Sequence, residues 1–281
     1  MRFAELNLNN AFLFAAALSD NETCKLILEQ ILGRELPDVV VHTEHNILYS
    51  SDFRSIRLDV YARDAVSVEY NVEMQNKDKK NLAKRSRFHQ AQMDVASLKP
   101  GEDYAQLKPG YVIFICTYDP YGKGLYRYTF ENRCLEEDMS FGDETYKIVL
   151  STKGENPAGV SAELIELLKY VENSTDDYVA TLSSASKVHQ LHRKVSELKR
   201  SREWEERYMM FEELLKERED EGRAEGRAEG LAEGRVEGEN RLILLVQCMK
   251  ETGESALIPR LFEDREFLQK MYEKYGATTI A

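Results

Sequence analysis

Three things are scarce in this 281-residue sequence, and each scarcity narrows what it can be. Its four cysteines, Cys24, Cys116, Cys134 and Cys248, are widely separated and never form a C-x-x-C pair. That spacing argues against a zinc site or a disulfide framework and suits a reducing cytoplasm. Long apolar runs are missing too. The most apolar stretch near the start, Ala11 to Leu18, follows Glu5 and several asparagines rather than a basic segment. It falls far short of the roughly 20 residues a membrane span needs, and it lacks the basic flank of a signal peptide. It reads instead as the opening of a buried helix capped by Asn9 or Asn10. Positive charge is the third shortage: 38 Lys and Arg against 50 Asp and Glu leave a net charge of -12. A negative field repels polyanions, so any nucleic-acid contact must rest on a local basic segment.

What is present is enough to fold. Apolar residues make up 42%, with 11 Phe and 15 Tyr, so a packed core is expected. At this length one sizeable domain with an appendage is favoured. The charge is uneven. Residues 201–281 carry 13 basic and 20 acidic side chains, a net of -7, which leaves -5 for residues 1–200. Within the body, residues 77–87 hold six basic side chains (Lys77, Lys79, Lys80, Lys84, Arg85, Arg87) against the single acid Asp78.

The periodicities alternate between helix and strand. Residues 11–33 read as a helix or helix pair, with Asp20 or Asn21 as a second N-cap and Gly33 as the stop. Val39 to Val41 is a short β-branched run, and Ile47 to Tyr49 is another candidate. From Ile56 the period becomes two: Ile56, Leu58 and Val60 alternate with Arg57, Asp59 and Tyr61. After a turn at Arg63 to Ala65, Val68, Tyr70, Val72 and Met74 fall on one face, with Glu69, Asn71, Glu73 and Gln75 on the other. The two runs predict a half-buried β-hairpin. Leu82 to Leu98 has apolar residues at helical spacing (Phe88, Ala91, Val95, Leu98) and stops before Pro100. Tyr111 to Thr117 is a continuous apolar run, as in a strand covered on both faces. Residues around Tyr126 to Phe130 and Tyr146 to Leu150 suggest two more strands. Helices follow over Ser161 to Glu172, around Val188 to Leu198, and through Trp204 to Leu215. The order helix, strand, strand, helix, strand is an α/β pattern.

From Glu221 the chain reads Glu-Gly-Arg-Ala, Glu-Gly-Arg-Ala, Glu-Gly-Leu-Ala, Glu-Gly-Arg-Val, Glu-Gly-Glu-Asn, a period of four. On a helix this stacks Glu221, Glu225, Glu229, Glu233 and Glu237 into one ridge and the glycines into another. Each interior glycine costs about 1 kcal/mol relative to alanine, and the repeat arginines point nearly opposite to the Glu ridge. Two readings stand open, a self-association stalk and a mobile charged linker. Leu242 to Lys250 and Leu257 to Tyr275 look like two terminal helices. His189 and His192, three apart on a helix, lack a third metal ligand nearby and read as surface residues.

The chemistry points to the hairpin. Asp59 lies on the polar side of its first strand, with Glu73 and Gln75 on the polar side of the second, so the three can converge. Two carboxylates held close repel unless a proton or a divalent cation lies between them. Hard oxygen ligands suit Mg²⁺ or Mn²⁺. A glycosidase pair is disfavoured by the adjoining basic segment and the absence of aromatics patterned around the acids.

At these residues the sequence resembles the PD-(D/E)XK nuclease superfamily, in its recombination-promoting nuclease or putative transposase branch. The segments that carry the resemblance are Ile-Arg-Leu-Asp-Val-Tyr (56–61), Tyr-Asn-Val-Glu-Met-Gln (70–75), Lys-Arg-Ser-Arg-Phe-His (84–89), Gly-Glu-Asp-Tyr (101–104), Tyr-Val-Ile-Phe-Ile-Cys-Thr (111–117) and the Glu-Gly repeats. The resemblance implies a restriction-endonuclease-like core (helix, β-hairpin, helix, strand) with a helical C-terminal extension. It implies Asp59 and Glu73 as metal ligands, a catalytic role for Gln75, and DNA, more readily double-stranded, as the substrate. The basic helix with Lys84, Arg85 and Arg87, and Lys77 before it, would face the phosphates. Glu29 on the first helix is the candidate assisting acid, with Glu22 behind it. The superfamily's lysine is replaced by Gln75, and Arg85 or Lys84 is expected to supply the missing charge. The expected organisation is a nuclease core over 1–155, a helical extension over 156–220, the repeat over 221–240, a possible route to homo-oligomers, and terminal helices over 241–281. The competing reading is a DNA-binding or oligomerising protein of transposase origin that no longer cuts.

Overall fold

The computed structural model describes residues 2–42 and 60–276. The candidate strand at Ile47 to Tyr49, the start of the first hairpin strand, and Asp59 itself lie outside the described residues. Two compact units divide the chain at Tyr208 and Met209.

The first unit is a mixed α/β fold on a six-stranded sheet. Its strands are β1 (Val39–Val41), β2 (Val60–Asp64), β3 (Glu69–Gln75), β4 (Gly110–Cys116), β5 (Arg127–Phe130) and β6 (Thr145–Ser151), in the order β1-β2-β3-β4-β6-β5. The pairs β1/β2, β2/β3 and β5/β6 are antiparallel; β3/β4 and β4/β6 are parallel. Parallel neighbours need a crossover, and α3 (Leu82–Ser97) supplies the one between β3 and β4.

The first helices obey their sequence signals. α1 (Ala11–Leu18) starts at Asn10, whose side chain accepts from the Leu13 N–H. It buries every residue from Phe12 to Leu18, as a helix apolar all round must. α2 (Asn21–Leu32) starts at Asp20, which accepts from the Thr23 N–H, and ends at Gly33 with φ of 68°, a left-handed cap that glycine adopts without strain. α4 (Ala162–Glu172) is capped by Ser161 and buries Leu164, Leu167, Leu168 and Val171. α5 (Asp176–Ala180) and α6 (Val188–Lys199) follow. The start of α7 (Arg202–Glu251) packs on α1 through aromatic contacts of Trp204 with Phe12 and of Tyr208 with Phe3 and Phe12.

The hairpin turn falls later than its residues suggest. β2 continues through Asp64, and the chain turns at Ala65 to Val68, where Ser67 takes φ of 69°. Asp64 explains the shift. Its buried carboxylate accepts from the N–H groups of Val66 and Val68 and from the Tyr70 hydroxyl at 2.8 Å. Burial first, and then the bond to Asp64, push the Tyr70 phenol upward. Asp64→Ala leaves buried donors unmatched, each costing about 1–3 kcal/mol. Urea denaturation is expected to show a loss within that range at the least; a midpoint equal to wild type would remove the turn-organising role.

The larger correction concerns what covers the sheet. β3 is buried at all seven positions, so the hairpin's polar face is not solvated. α3 lies over it and turns inward Leu82, Ser86, His89, Gln90 and Met93, not the apolar series Phe88, Ala91, Val95 and Leu98. Phe88 is 53% exposed and Val95 81%. The physical reason is the face beneath: Glu69, Asn71, Glu73 and Gln75 need hydrogen-bonding partners, so the helix presents its polar stripe.

The second unit consists of the remainder of α7 and a short helical cap. α7 is continuous through the Glu-Gly repeat. Built Cβ atoms at Gly222, Gly226, Gly230, Gly234 and Gly238 would meet nothing within 4 Å. Arg223 pairs with Glu219 and Arg235 with Glu239, both outside the Glu ridge, while Glu221 pairs with Arg218. The two terminal helices read from the sequence are redrawn. Leu242 to Lys250 is the end of α7, and the last segment breaks into α8 (Arg260–Glu263) and α9 (Arg265–Lys274) where Asp264 caps a fresh start. Leu245, Met249 and Leu261 form the small core there, with Phe267, Leu268 and Met271 against it. No described helix is long and apolar enough to cross a membrane.

Candidate functional site

The site grows from strand alternation. In β3, successive side chains point to opposite faces, so Glu69, Asn71, Glu73 and Gln75 share the α3 side. Register with β4 sets the floor: Asn71 is paired with Val112, Glu73 with Phe114 and Gln75 with Cys116. Val112, Phe114 and Cys116 join Leu82 and Met93 of α3 in one buried apolar cluster. A row of polar side chains is thus clamped between an apolar strand and a helix.

Arg85 ties the row together. Its Nη1 donates to Gln75 Oε1 at 2.8 Å, and its Nη2 forms an ion pair with Glu73 Oε1. The guanidinium carbon lies 5.9 Å from the Phe114 ring centre, a cation–π distance. His89 approaches from one helical turn further on, with Nε2 3.3 Å from Glu73 Oε2. Its ring also meets Phe114 edge to face at 6.3 Å. His89 is not among the residues singled out from the sequence. The signal that could have found it is its position four residues after Arg85, which puts both on one side of α3.

The acceptor capacity of this layer is not used up. Glu73 Oε2, Asn71 Oδ1 and Gln90 Oε1 are buried without a hydrogen bond. A buried carboxylate left with an unbonded oxygen is costly, and a hard cation held by that carboxylate offsets the cost. The Glu73 carboxylate therefore fits a divalent metal. No group of three His, Cys, Asp or Glu placed to hold a metal ion occurs among the described residues.

The other residues singled out from the sequence lie elsewhere. Glu29 accepts from the Leu36 N–H and pairs with Lys187 at 3.2 Å. Glu22 pairs with Lys194. Lys77, Lys84 and Arg87 are exposed, and no ion pair among the described residues engages them. Cys116, beside Gln75, is no nucleophile: burial pushes its thiol up to about 12. His192 bonds the Tyr170 hydroxyl and Asp176, and His189 reaches the Ser183 carbonyl. At the far end of the row, Arg63 pairs with Glu69, whose carboxylate also accepts from Ser97.

With this geometry in place, comparison with known proteins gives one match. The model of a family described as PD-(D/E)XK nuclease family transposase matches residues 12–224. No curated protein and no solved structure matches the chain.

Proposed function

Because the chain belongs to the PD-(D/E)XK nuclease family transposases, we propose that it is a divalent-metal-dependent DNA endonuclease whose chemistry resides in residues 1–155, with 156–220 as helical support. Asp59 and Glu73 hold Mg²⁺ or Mn²⁺. One peptide bond separates Asp59 from Val60, and Val60 pairs with Val72, the neighbour of Glu73. When bound, the ion supplies Lewis-acid polarisation of the phosphodiester and a more acidic water. Gln75 orients that water by hydrogen bonding. Arg85 steadies the phosphate and carries the positive charge that the superfamily places on a lysine at position 75. Lys77, Lys84 and Arg87 contact the backbone of double-stranded DNA, a local basic edge on an acidic protein. Glu29, held by Lys187, is at most an indirect helper.

The observation that carries this reading is Glu73. It is a buried carboxylate with an unsatisfied oxygen, under a basic helix, forked to the same guanidinium as Gln75. The test is plasmid nicking with Mg²⁺, with EDTA, and by Asp59→Ala. Metal-dependent nicking lost in the variant is expected. A protein that retards DNA yet never cuts it would favour the non-cleaving binder instead.

The Glu-Gly repeat is assigned to self-association. A continuous helix with open glycine positions lets a second backbone approach, and the unpaired glutamates can meet a neighbour's arginines. Light scattering of the full chain is expected to give an oligomer, and replacement of Arg223, Arg227 and Arg235 by Glu a monomer. A monomeric wild type rejects the stalk. The protein works in the reducing cytoplasm, where its four free cysteines persist.

A further inference from the structure

We infer that Arg85 holds the metal position on Glu73 until a divalent cation takes it, and that the displaced guanidinium, kept in the site by Gln75, then turns to the scissile phosphate. This rests on Glu73 being a metal ligand, and it concerns how the charges of the site change places.

The two oxygens of Glu73 are in different situations. Oε2 is enclosed, with His89 Nε2 3.3 Å away on that side. Oε1 carries the Arg85 guanidinium. The guanidinium therefore stands on the oxygen that is not enclosed, and a cation binding through Oε1 has to displace it. A guanidinium and a dication repel each other, and one carboxylate edge cannot seat both.

Of the two partners, Arg85 is the one that can yield. Glu73 sits in the middle of β3, paired in register with Phe114, and its side chain is 8% exposed; that of Arg85 is 29% exposed on a long stem from a helix whose neighbouring Lys84 and Arg87 face solvent. Release from Glu73 does not cast the guanidinium loose. The Nη1 bond to Gln75 Oε1 and the Phe114 ring remain as a pivot and a seat. This gives Gln75 a positioning role. An amide oxygen accepts from the guanidinium, whereas a lysine at that position has no acceptor and would repel it. The glutamine and the arginine on α3 thus form one device.

Two measurements on the full chain test this. Calorimetric titration with Mn²⁺ is expected to show Arg85→Gln binding the ion roughly tenfold more tightly than wild type, since a competing charge has gone, although its nicking at saturating metal falls. Nitrogen-15 NMR of arginine side chains is expected to show the Arg85 Nε–Hε signal move on adding Mg²⁺ to wild type and stay still in Glu73→Gln. Equal or weaker Mn²⁺ binding by a folded Arg85→Gln overturns the exchange. If Arg85→Gln does not fold, the wild-type spectrum decides, and an Arg85 signal unmoved at saturating Mg²⁺ overturns it. Metal that binds through Glu73 with Arg85 unmoved defeats the exchange alone; a wild type that binds no metal defeats the nuclease reading as well.

Discussion

Glu73→Gln is expected to lower metal-dependent DNA cleavage by roughly a thousandfold while leaving the protein folded. The change is nearly isosteric, and the amide oxygen still accepts from Arg85, so the helix keeps its tie to β3. What is lost is the negative charge that is proposed to hold the ion. Metal stabilisation of a phosphodiester transition state is worth several kcal/mol, and each ~1.4 kcal/mol is a factor of ten in rate. Asp59→Asn is expected to act in the same direction. If both residues serve one ion, as proposed, the double variant should be little worse than either alone. Supercoiled plasmid nicking under single-turnover conditions, with circular dichroism as the folding control, is the measurement. A Glu73→Gln protein that cuts within threefold of wild type would remove Glu73 from the metal site.

Which parts of this arrangement were readable in advance follows from what local sequence can encode. Alternation along β3 gave the shared face of Glu73 and Gln75, because strand geometry fixes it regardless of surroundings. Helix caps at Asn10, Asp20 and Gly33 were legible to within one residue, since each is satisfied within a few residues. The orientation of α3 was not. Its apolar series Phe88, Ala91, Val95, Leu98 has proper helical spacing, yet the helix is rotated to serve a polar strand face that comes earlier in the chain. Only the pairing of Glu73 with Arg85 and His89 reveals why, and that pairing is tertiary. The same limit hid the end of the chain. Leu242 to Lys250 has no helix start of its own because it continues α7, and the break at Asp264 is set by a cap inside a run that looks uniformly amphipathic.

The residue that joins fold and site most tightly is Phe114. It is fully buried in β4, lies in register with Glu73, and meets Arg85 and His89 of α3 through its ring. Truncation to alanine removes the ring from a close-packed cluster that includes Leu82, Met93, Val112 and Val149. Such losses cost about 3–5 kcal/mol, the transfer term plus the cavity left behind. That is a large share of the roughly 5–15 kcal/mol that keeps a domain folded, so Phe114→Ala should unfold at markedly lower urea. Phe114→Leu keeps most of the volume, and such a swap usually costs under about 1.5 kcal/mol. It deletes the face on which Arg85 rests, so it separates packing from positioning: a folded leucine variant with slower cleavage and unaltered Mn²⁺ affinity is expected. Cleavage at the wild-type rate by Phe114→Leu would mean that Gln75 alone suffices to hold the guanidinium, whereas an alanine variant as stable as wild type would mean that α3 does not pack on β4 through this ring.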